Sequence, residues 1–211
     1  MIPFSKDVFL GAVERYAEAA WPMQVLAFLL ACAIVDLVRK PRAGGSRLAC
    51  GTLAAGWLWV GGVYYAQHVA ALSWAAWIPA GAFTLQGVLL LLAGVVRDRV
   101  PLRYERGTMG NAGMGFMLYA LFAYPVTALA AGVALKAAPV VGIAPDPTIL
   151  FTLGLLLLVE GRVPLTLAVI PVAGAAANGV SAIMIGLPAD YAMLPAALAA
   201  AGLIVVKNRA G

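Results

Sequence analysis

The chain has 211 residues, of which 64% are hydrophobic and 11% are charged, with a formal net charge of +5 at pH 7. A water-soluble domain of this length could not bury so much apolar surface, so the composition excludes a soluble protein and predicts a membrane protein. The positive charge does not indicate nucleic-acid binding, because the basic residues lie in short gaps between apolar runs.

An amphipathic helix is predicted for residues 5–20, ahead of the first long apolar run. Ser5 is the candidate N-cap, and the five charged residues between positions 6 and 18 fall away from the apolar face. Such a helix lies in the plane of the membrane interface. The same charges leave no apolar core for a cleavable signal peptide. We therefore expect an interfacial helix in residues 1–20 and a transmembrane domain in residues 21–211.

Seven apolar segments are predicted to be transmembrane helices, which gives an all-α polytopic bundle. They are residues 21–38, 48–69, 74–96, 112–135, 147–159, 163–186 and 191–206. Eleven of the fourteen basic residues lie in the gaps on one side of this bundle. Basic gaps face the cytoplasm, so we expect the N-terminus outside, the C-terminus inside and a location in the cytoplasmic membrane.

The fifth segment is too short for a simple span. Residues 148–159 would form roughly 18 Å of helix against a hydrocarbon core of roughly 30 Å. Either the preceding segment, residues 138–145, enters the outer leaflet without being helical, or the helix lies deep and Arg162 reaches back to the inner surface. Both alternatives place Asp146 at or below the outer interface, and interrupted spans are where transporters tend to build sites.

Similar sequence motifs in two pairs of spans suggest an internal repeat. Trp21-Pro22 opens the first span and Asp146-Pro147 the fifth, while Ile78-Pro79-Ala80 in the third resembles Leu194-Pro195-Ala196 in the seventh. Both pairs run in the same direction through the membrane. These motifs predict two repeats of three spans each, in parallel orientation, joined by the fourth span as a linker.

Polar groups inside the spans are the candidate functional residues, because each costs free energy in hydrocarbon unless it has a partner. The candidates for a substrate or ion path are Asp146, Gln86, Asn178, Tyr119, Tyr124 and His68. Each also has a structural interpretation. Asp146 could serve as an N-cap, Gln86 and Asn178 could bond between helices, and His68 could belong to an interfacial aromatic belt. Asp36 is expected to pair with Arg39 or Lys40, and Glu160 with Arg162.

Metal and cofactor chemistry has little support in the sequence. Cys32 and Cys50 lie near the same ends of the first two spans and could approach each other, but two thiols without further ligands make a poor metal site. The simpler interpretation is that both cysteines are small packing residues. Asp146 is the other weak candidate for a metal ligand. The sequence lacks the phosphate-loop, nucleophile-elbow and zinc-protease motifs. No cofactor is expected, and an enzyme is disfavoured.

Several sequence motifs resemble those of a bacterial domain-of-unknown-function family, number 6064. They are Trp21-Pro22 with Gln24, Trp57 and Trp59 with Tyr64, Leu118-Tyr119 with Tyr124-Pro125, residues 142–148 running into 151–156, and residues 161–164 with 169–171. The resemblance covers nearly the whole chain and implies a small polytopic protein of the bacterial inner membrane. In the family a cysteine often stands where this chain has Asp146. Cysteine would imply soft-metal handling, and aspartate shifts that expectation to a harder cation.

Three functions follow as hypotheses. The first is a transporter or channel for an ion or small solute, with a path lined by the polar candidates. The second is a sensor or accessory subunit that transports nothing. The third is an intramembrane enzyme acting on lipid, which would need His68 and Asp146 to converge. Membrane lipids are expected partners, and small-residue helix faces suggest a homodimer.

Overall fold

The computed structural model describes residue 11, residues 15–186 and residues 191–210. Within these ranges the protein is helical and contains no β-strands, which confirms the predicted all-α class. Of the predicted interfacial helix, residues 15–19 are helical. Ser5 and the other residues before position 15, apart from residue 11, lie outside the described residues.

Within the described residues, seven principal helices follow in chain order. They are α1 (Trp21–Arg39), α2 (Gly45–Trp59, continued by the π-helix Val60–Val69), α3 (Trp77–Leu90, preceded by the 3-10 turn Trp74–Ala76 and continued by the π-helix Leu91–Val96), α4 (Thr108–Leu118, the π-helix Tyr119–Ala123 and Tyr124–Ala130), α5 (Pro145–Leu157), α6 (Leu165–Ile185) and α7 (Met193–Ala210). Five of them, namely α1, α3, α4, α6 and α7 with their extensions, are long and apolar enough to cross a membrane.

The outer surface of the bundle is apolar. Leu29 is 59% exposed, and Ile78 and Leu198 are each 70% exposed. A soluble protein seldom exposes large aliphatic side chains over so much of its surface, because each contact with water costs free energy. The apolar helices are therefore compatible with a membrane protein whose surface contacts lipid.

The fourth helix differs from its predicted bounds. It was expected at residues 112–135 and is found at Thr108–Ala130. Gly132 has a φ of +92°, and the amide groups of Gly132 and Val133 donate to the carbonyl oxygens of Leu129 and Ala128. This pair of hydrogen bonds, with glycine in the left-handed conformation, ends a helix. The prediction was wrong because the apolar run continues past the glycine.

The short helix α5 lies at the centre of the bundle. Every residue in it except Asp146 is buried, and it packs against α2, α4, α6 and α7. The contact with α4 is a close approach of two backbones. A Cβ atom built on Gly154 would lie 2.5 Å from the carbonyl oxygen of Gly113. Small residues permit such approaches, which bring many atoms of two helices into van der Waals contact.

The segment before α5 is buried without being helical. Ala138, Val141 and Ile143 are buried, and Gly142, with a φ of +85°, lies against the middle of α2. There a Cβ atom on Gly56 would come within 2.7 Å of the Gly142 Cα atom. Irregular backbone is tolerated at membrane depth where protein covers it. This arrangement agrees with the first of the two alternatives for the short fifth segment.

The arginine-rich connections assemble at one end of the bundle, which we call the basic end (residues 39–47, 97–107, 160–164 and 207–210). The backbone amide of Tyr104 donates to the carbonyl oxygen of Val38 at 2.8 Å. The amide of Leu102 donates to Ser46 Oγ at 2.9 Å. These bonds fasten the connection between α3 and α4 to the neighbouring helix ends.

Ion pairs at the basic end agree only in part with expectation. Asp36 pairs with Lys40 at 3.1 Å, as predicted, and also with Arg42 at 3.0 Å. Glu160 was expected to pair with Arg162, but the ion pair observed for it is with Arg103, at 3.8 Å. That expectation was wrong because the chain folds the connection between α3 and α4 against the end of α5, which brings Arg103 closer than sequence spacing suggests.

Candidate functional site

Three of the predicted site residues meet at the start of α5. Tyr124 Oη donates to Asp146 Oδ2 at 3.0 Å, and the side-chain amide of Asn178 donates to Asp146 Oδ1. The hydroxyl of Tyr65 shares a side-chain hydrogen bond with Asn178. We call these four residues the Asp146 cluster. It joins α2, α4, α5 and α6, and side chains of α4 and α6 bond the half-buried carboxyl group directly.

Two members of the cluster lie well inside the ends of their helices, whereas Asp146 lies in the first turn of α5. Tyr124 is six residues from the end of α4 and Asn178 seven residues from the end of α6. At a rise of 1.5 Å per residue, these positions are roughly 10 Å below the helix ends. Tyr65 lies within the π-helical segment Val60–Val69. A second π-helical segment, Tyr119–Ala123, immediately precedes Tyr124. Short π-helical insertions are frequent at functional sites because they re-aim the side chains beside them.

Asp146 does not cap its helix, so the N-cap interpretation was wrong. Helix α5 begins at Pro145, with Ala144 in the N-cap position, which places Asp146 in the first turn. Thr148 organises the helix start instead. Its Oγ1 donates to the carbonyl oxygen of Ala144 at 2.6 Å and accepts from the amide of Gly142 at 2.7 Å. The carboxyl group of Asp146 is thereby left to the side chains of other helices, where the positive end of α5 still favours its charge.

The chemistry of the cluster suits a carboxyl group in either protonation state. The Asn178 amide can donate to a carboxylate or to the carbonyl oxygen of a carboxylic acid. The Tyr124 hydroxyl donates to the charged form and can rotate to accept from the protonated form. Uptake of a proton by Asp146 therefore requires only that a hydroxyl hydrogen turn, with no hydrogen bond lost.

Gln86 lies elsewhere and replaces a missing backbone hydrogen bond. Its side-chain amide donates to the carbonyl oxygen of Leu167 at 3.0 Å. In a regular helix that carbonyl would accept from the amide of residue 171, but residue 171 is a proline inside α6 and has no N–H group. Gln86 is fully buried, and its contact has the interhelical character that was the structural alternative for this residue.

His68 belongs to a different group of side chains, on the side of the bundle where residues 15–20 pack. Its ring stands edge-on to that of Tyr16, with centroids 4.9 Å apart, and its Nδ1 atom lies 2.9 Å from the carbonyl oxygen of Val63. Tyr16 Oη donates to the carbonyl oxygen of Ile143 at 2.8 Å and accepts from Trp59 Nε1 at 2.9 Å. Burial raises the pKa of Tyr16 to about 12, although the Trp59 hydrogen bond works in the opposite direction.

The remaining candidates, Tyr119, Cys32 and Cys50, have less structural support as site residues. The ring of Tyr119 stands edge-on to that of Tyr124, with centroids 6.4 Å apart, beside the Asp146 cluster. Cys50 is buried against Gly94 of α3, where an added Cβ atom would lie 2.5 Å from the Cys50 sulfur. Cys50 therefore packs against α3, whereas Cys32 lies half-buried on α1. Within the described part of the chain, no group of three or more metal-ligating side chains occurs.

Sequence reasoning missed several residues that position the site. Four of them, Tyr65, Thr148, Tyr16 and Gln24, were given no site role. Gln24 Nε2 donates to the carbonyl oxygens of Ala17 at 2.8 Å and Lys136 at 3.1 Å. A threonine just after Asp146-Pro147 was the available signal, since threonine side chains commonly bond to backbone near helix starts.

Comparisons with known proteins identify a family for this chain. The sequence model of a family of unknown function, DUF6064, matches residues 6–210. No curated protein and no solved structure matches the chain. The match covers nearly the whole chain, as the motif resemblance implied.

Proposed function

Because the chain belongs to DUF6064, a family of unknown function, we propose a role from its own residues: a membrane protein that moves an ion or small solute, with Asp146 as the group that binds and releases a proton. The observation that supports this most directly is the position of Asp146. Its carboxyl group bonds side chains that lie roughly 10 Å below the ends of α4 and α6, and a carboxyl group in hydrocarbon is costly, so such residues mark ion and proton pathways.

The architecture around Asp146 supports the same proposal. Helix α5 is short and is preceded by buried non-helical chain. Transporters place substrate and ion sites at such interrupted helices, where helix ends and backbone groups are available inside the membrane. The donor and acceptor capacity of Tyr124 lets the cluster bind a proton without being dismantled.

The topology proposed with this function has seven spans. Helices α2 and α5 complete the set begun by the five longer apolar helices. The basic end faces the cytoplasm, since arginine and lysine are retained on that side. This orientation puts the N-terminus and the Asp146 cluster toward the outside. The parallel repeat of three, one and three spans stays a prediction, as does the homodimer.

The test is proton movement in vesicles that contain the purified protein. We expect an imposed membrane potential to drive faster acidification or alkalinisation with protein than without, read with a pH-sensitive dye. Asp146→Asn should lower that rate at least tenfold because it removes the titrating group. Asp36→Asn is the matched control, since Asp36 is an exposed carboxylate paired at the basic end, and its rate should equal that of the wild type.

Two results would overturn the proposal. One is a wild-type rate no faster than that of empty vesicles, and the other is an Asp146→Asn rate equal to that of Asp36→Asn. Unfolding temperatures of both variants serve as the check on folding. Tyr124→Phe is a milder companion change that keeps the carboxyl group and removes one partner, so an intermediate rate is expected.

A sensor or accessory subunit is the second candidate, and close packing favours it. Helix α5 is buried over its whole length except at Asp146. Asp146 does not line either of two cavities in the described part of the protein. One of them is an apolar groove of about 130 Å³ between α1, α2 and Gly142. This alternative predicts no protein-dependent flux, and copurification with another membrane protein.

The lipid-acting enzyme receives the least support. It requires His68 and Asp146 to converge on one substrate. The contacts of His68 are with Tyr16 and Val63, whereas Asp146 bonds with Tyr124 and Asn178. The rings of Tyr16, Tyr64 and Tyr65 form a row of contacts between His68 and the Asp146 cluster, so the two side chains are not neighbours and this hypothesis ranks last.

A further inference from the structure

A polar cavity of about 530 Å³ opens at the basic end, between the end of α5, the start of α4 and the end of α7. Its charged lining consists of Arg103, Glu105, Glu160 and Lys207, and the backbone of residues 157–161 forms one wall. The volume is within the range of small-ligand sites. The cavity lies at the opposite end of α5 from the Asp146 cluster.

Lys207 is built into the wall of this cavity. Its ammonium group donates to the carbonyl oxygen of Leu157 at 2.7 Å and to that of Val159 at 2.5 Å. These carbonyls end α5, where the helix dipole favours a cation. An ammonium group has three hydrogens, so these two bonds leave one for a molecule in the cavity. The position of the charge is thus fixed by the protein before anything binds.

Arg103 lies between two carboxylates without a direct hydrogen bond to either. Its Nε atom is 3.9 Å from Glu105 Oε1, and its Nη1 atom is 3.8 Å from Glu160 Oε1. Both separations exceed the 2.7–3.2 Å of a protein hydrogen bond. Charged groups at such distances keep their hydrogen-bonding capacity for water or for a ligand that bridges them.

We propose that this cavity binds a zwitterionic headgroup that carries a phosphate and a primary ammonium group, as in phosphatidylethanolamine. The phosphate contacts Arg103 and Lys207, and the ammonium contacts Glu105 and Glu160. Two cations and two anions, of which Lys207 is held in place by hydrogen bonds, give the site no net charge, so it matches a neutral zwitterion better than an anion. A primary ammonium has N–H donors for the carboxylates, which a trimethylated amine lacks.

The place of the cavity favours a lipid as the source of this headgroup. Val205 and Val206, in the helical turn before Lys207, are 47% and 55% exposed. They continue the apolar outer surface of α7 to the mouth of the cavity, so acyl chains can lie along the helix while the headgroup enters.

The experiment measures lipid binding to the full chain after purification and delipidation in detergent. Native mass spectrometry and thermal unfolding are read with added phosphatidylethanolamine, phosphatidylglycerol or phosphatidylcholine, and with water-soluble phosphoethanolamine. We expect phosphatidylethanolamine to bind at least tenfold more tightly than phosphatidylglycerol, which has no amine. Arg103→Gln and Glu160→Gln should each weaken it about tenfold, which is the order expected for one charge-assisted hydrogen bond. Arg97→Gln is the matched control, an exposed arginine of the same connection outside the cavity lining.

The outcomes separate the alternatives. Equal binding of phosphatidylethanolamine and phosphatidylglycerol overturns the zwitterion assignment. Equal behaviour of Arg103→Gln and Arg97→Gln overturns the location. Tight binding of soluble phosphoethanolamine, with the same dependence on Arg103 and Glu160, supports the site chemistry but overturns the lipid as its source. Unfolding temperatures of the unliganded variants verify that each protein is folded.

Discussion

The contact between α4 and α5 gives the sharpest test of the fold. A Cβ atom at Gly154 would lie 2.5 Å from the carbonyl oxygen of Gly113, 2.8 Å from Met117 Cγ and 2.9 Å from the Met117 amide nitrogen. Carbon atoms normally approach no closer than about 3.5 Å. Two of the three neighbours are backbone atoms of α4, so a methyl group at this position must displace a whole helix. Gly154→Ala should therefore destabilise the protein.

Gly115→Ala is the matched control, and it sets the magnitude. Gly115 lies on the same helix as Gly113 but is exposed, and a Cβ atom there meets no atom within 4 Å. Both changes gain the same helix propensity, about 0.5–1 kcal/mol. The difference between the variants is then the overpacking term, about 1–3 kcal/mol.

Thermal unfolding in a mild detergent, followed by circular dichroism, measures this difference. At 2–4 °C per kcal/mol for a chain of this size, Gly154→Ala should unfold roughly 2–12 °C below Gly115→Ala. If the two variants unfold at the same temperature, the backbones of α4 and α5 do not approach as described, and the central position of α5 must be revised.

Two further predictions concern buried polar groups. Tyr16 has its pKa raised from 10 to about 12 by burial, so its contribution to stability is present below pH 10. That contribution should decline by about 2–3 kcal/mol as the pH rises toward 12, because the tyrosine ionises first in the unfolded state. The Tyr16→Phe variant should lack this decline. Equal pH profiles of the two proteins in thermal unfolding would contradict the prediction. The change in unfolding free energy caused by Gln86→Leu should be less favourable by about 0.6–1.7 kcal/mol in the wild type than in a Pro171→Ala background, because an alanine amide at position 171 supplies the donor for the Leu167 carbonyl. A double-mutant cycle of unfolding free energies checks this, and additive costs would refute it.

The helical, apolar character of the chain is a property that the sequence alone determines. Backbone hydrogen bonds in an apolar solvent must be made within a segment, so long apolar runs become helices wherever they pack. For this reason the bounds of α1 and of Trp74–Val96 were predicted closely. The end of α4 was missed because its signal, Gly132, lies inside an apolar run. The presence of Asp146, Asn178 and Tyr124 among few polar residues also marked them as candidates.

Only the tertiary structure decided which of these polar residues meet. Asn178 lies 32 residues from Asp146, and Gln86 lies 81 residues from its partner Leu167. Neither pairing follows from a helical period, because a period places residues on a face but does not say which helix covers that face. The central position of α5 likewise arises from packing, since Gly113 and Gly154 let two backbones approach. Sequence determined which groups are costly to leave unpaired, and packing between distant segments determined how each one is satisfied.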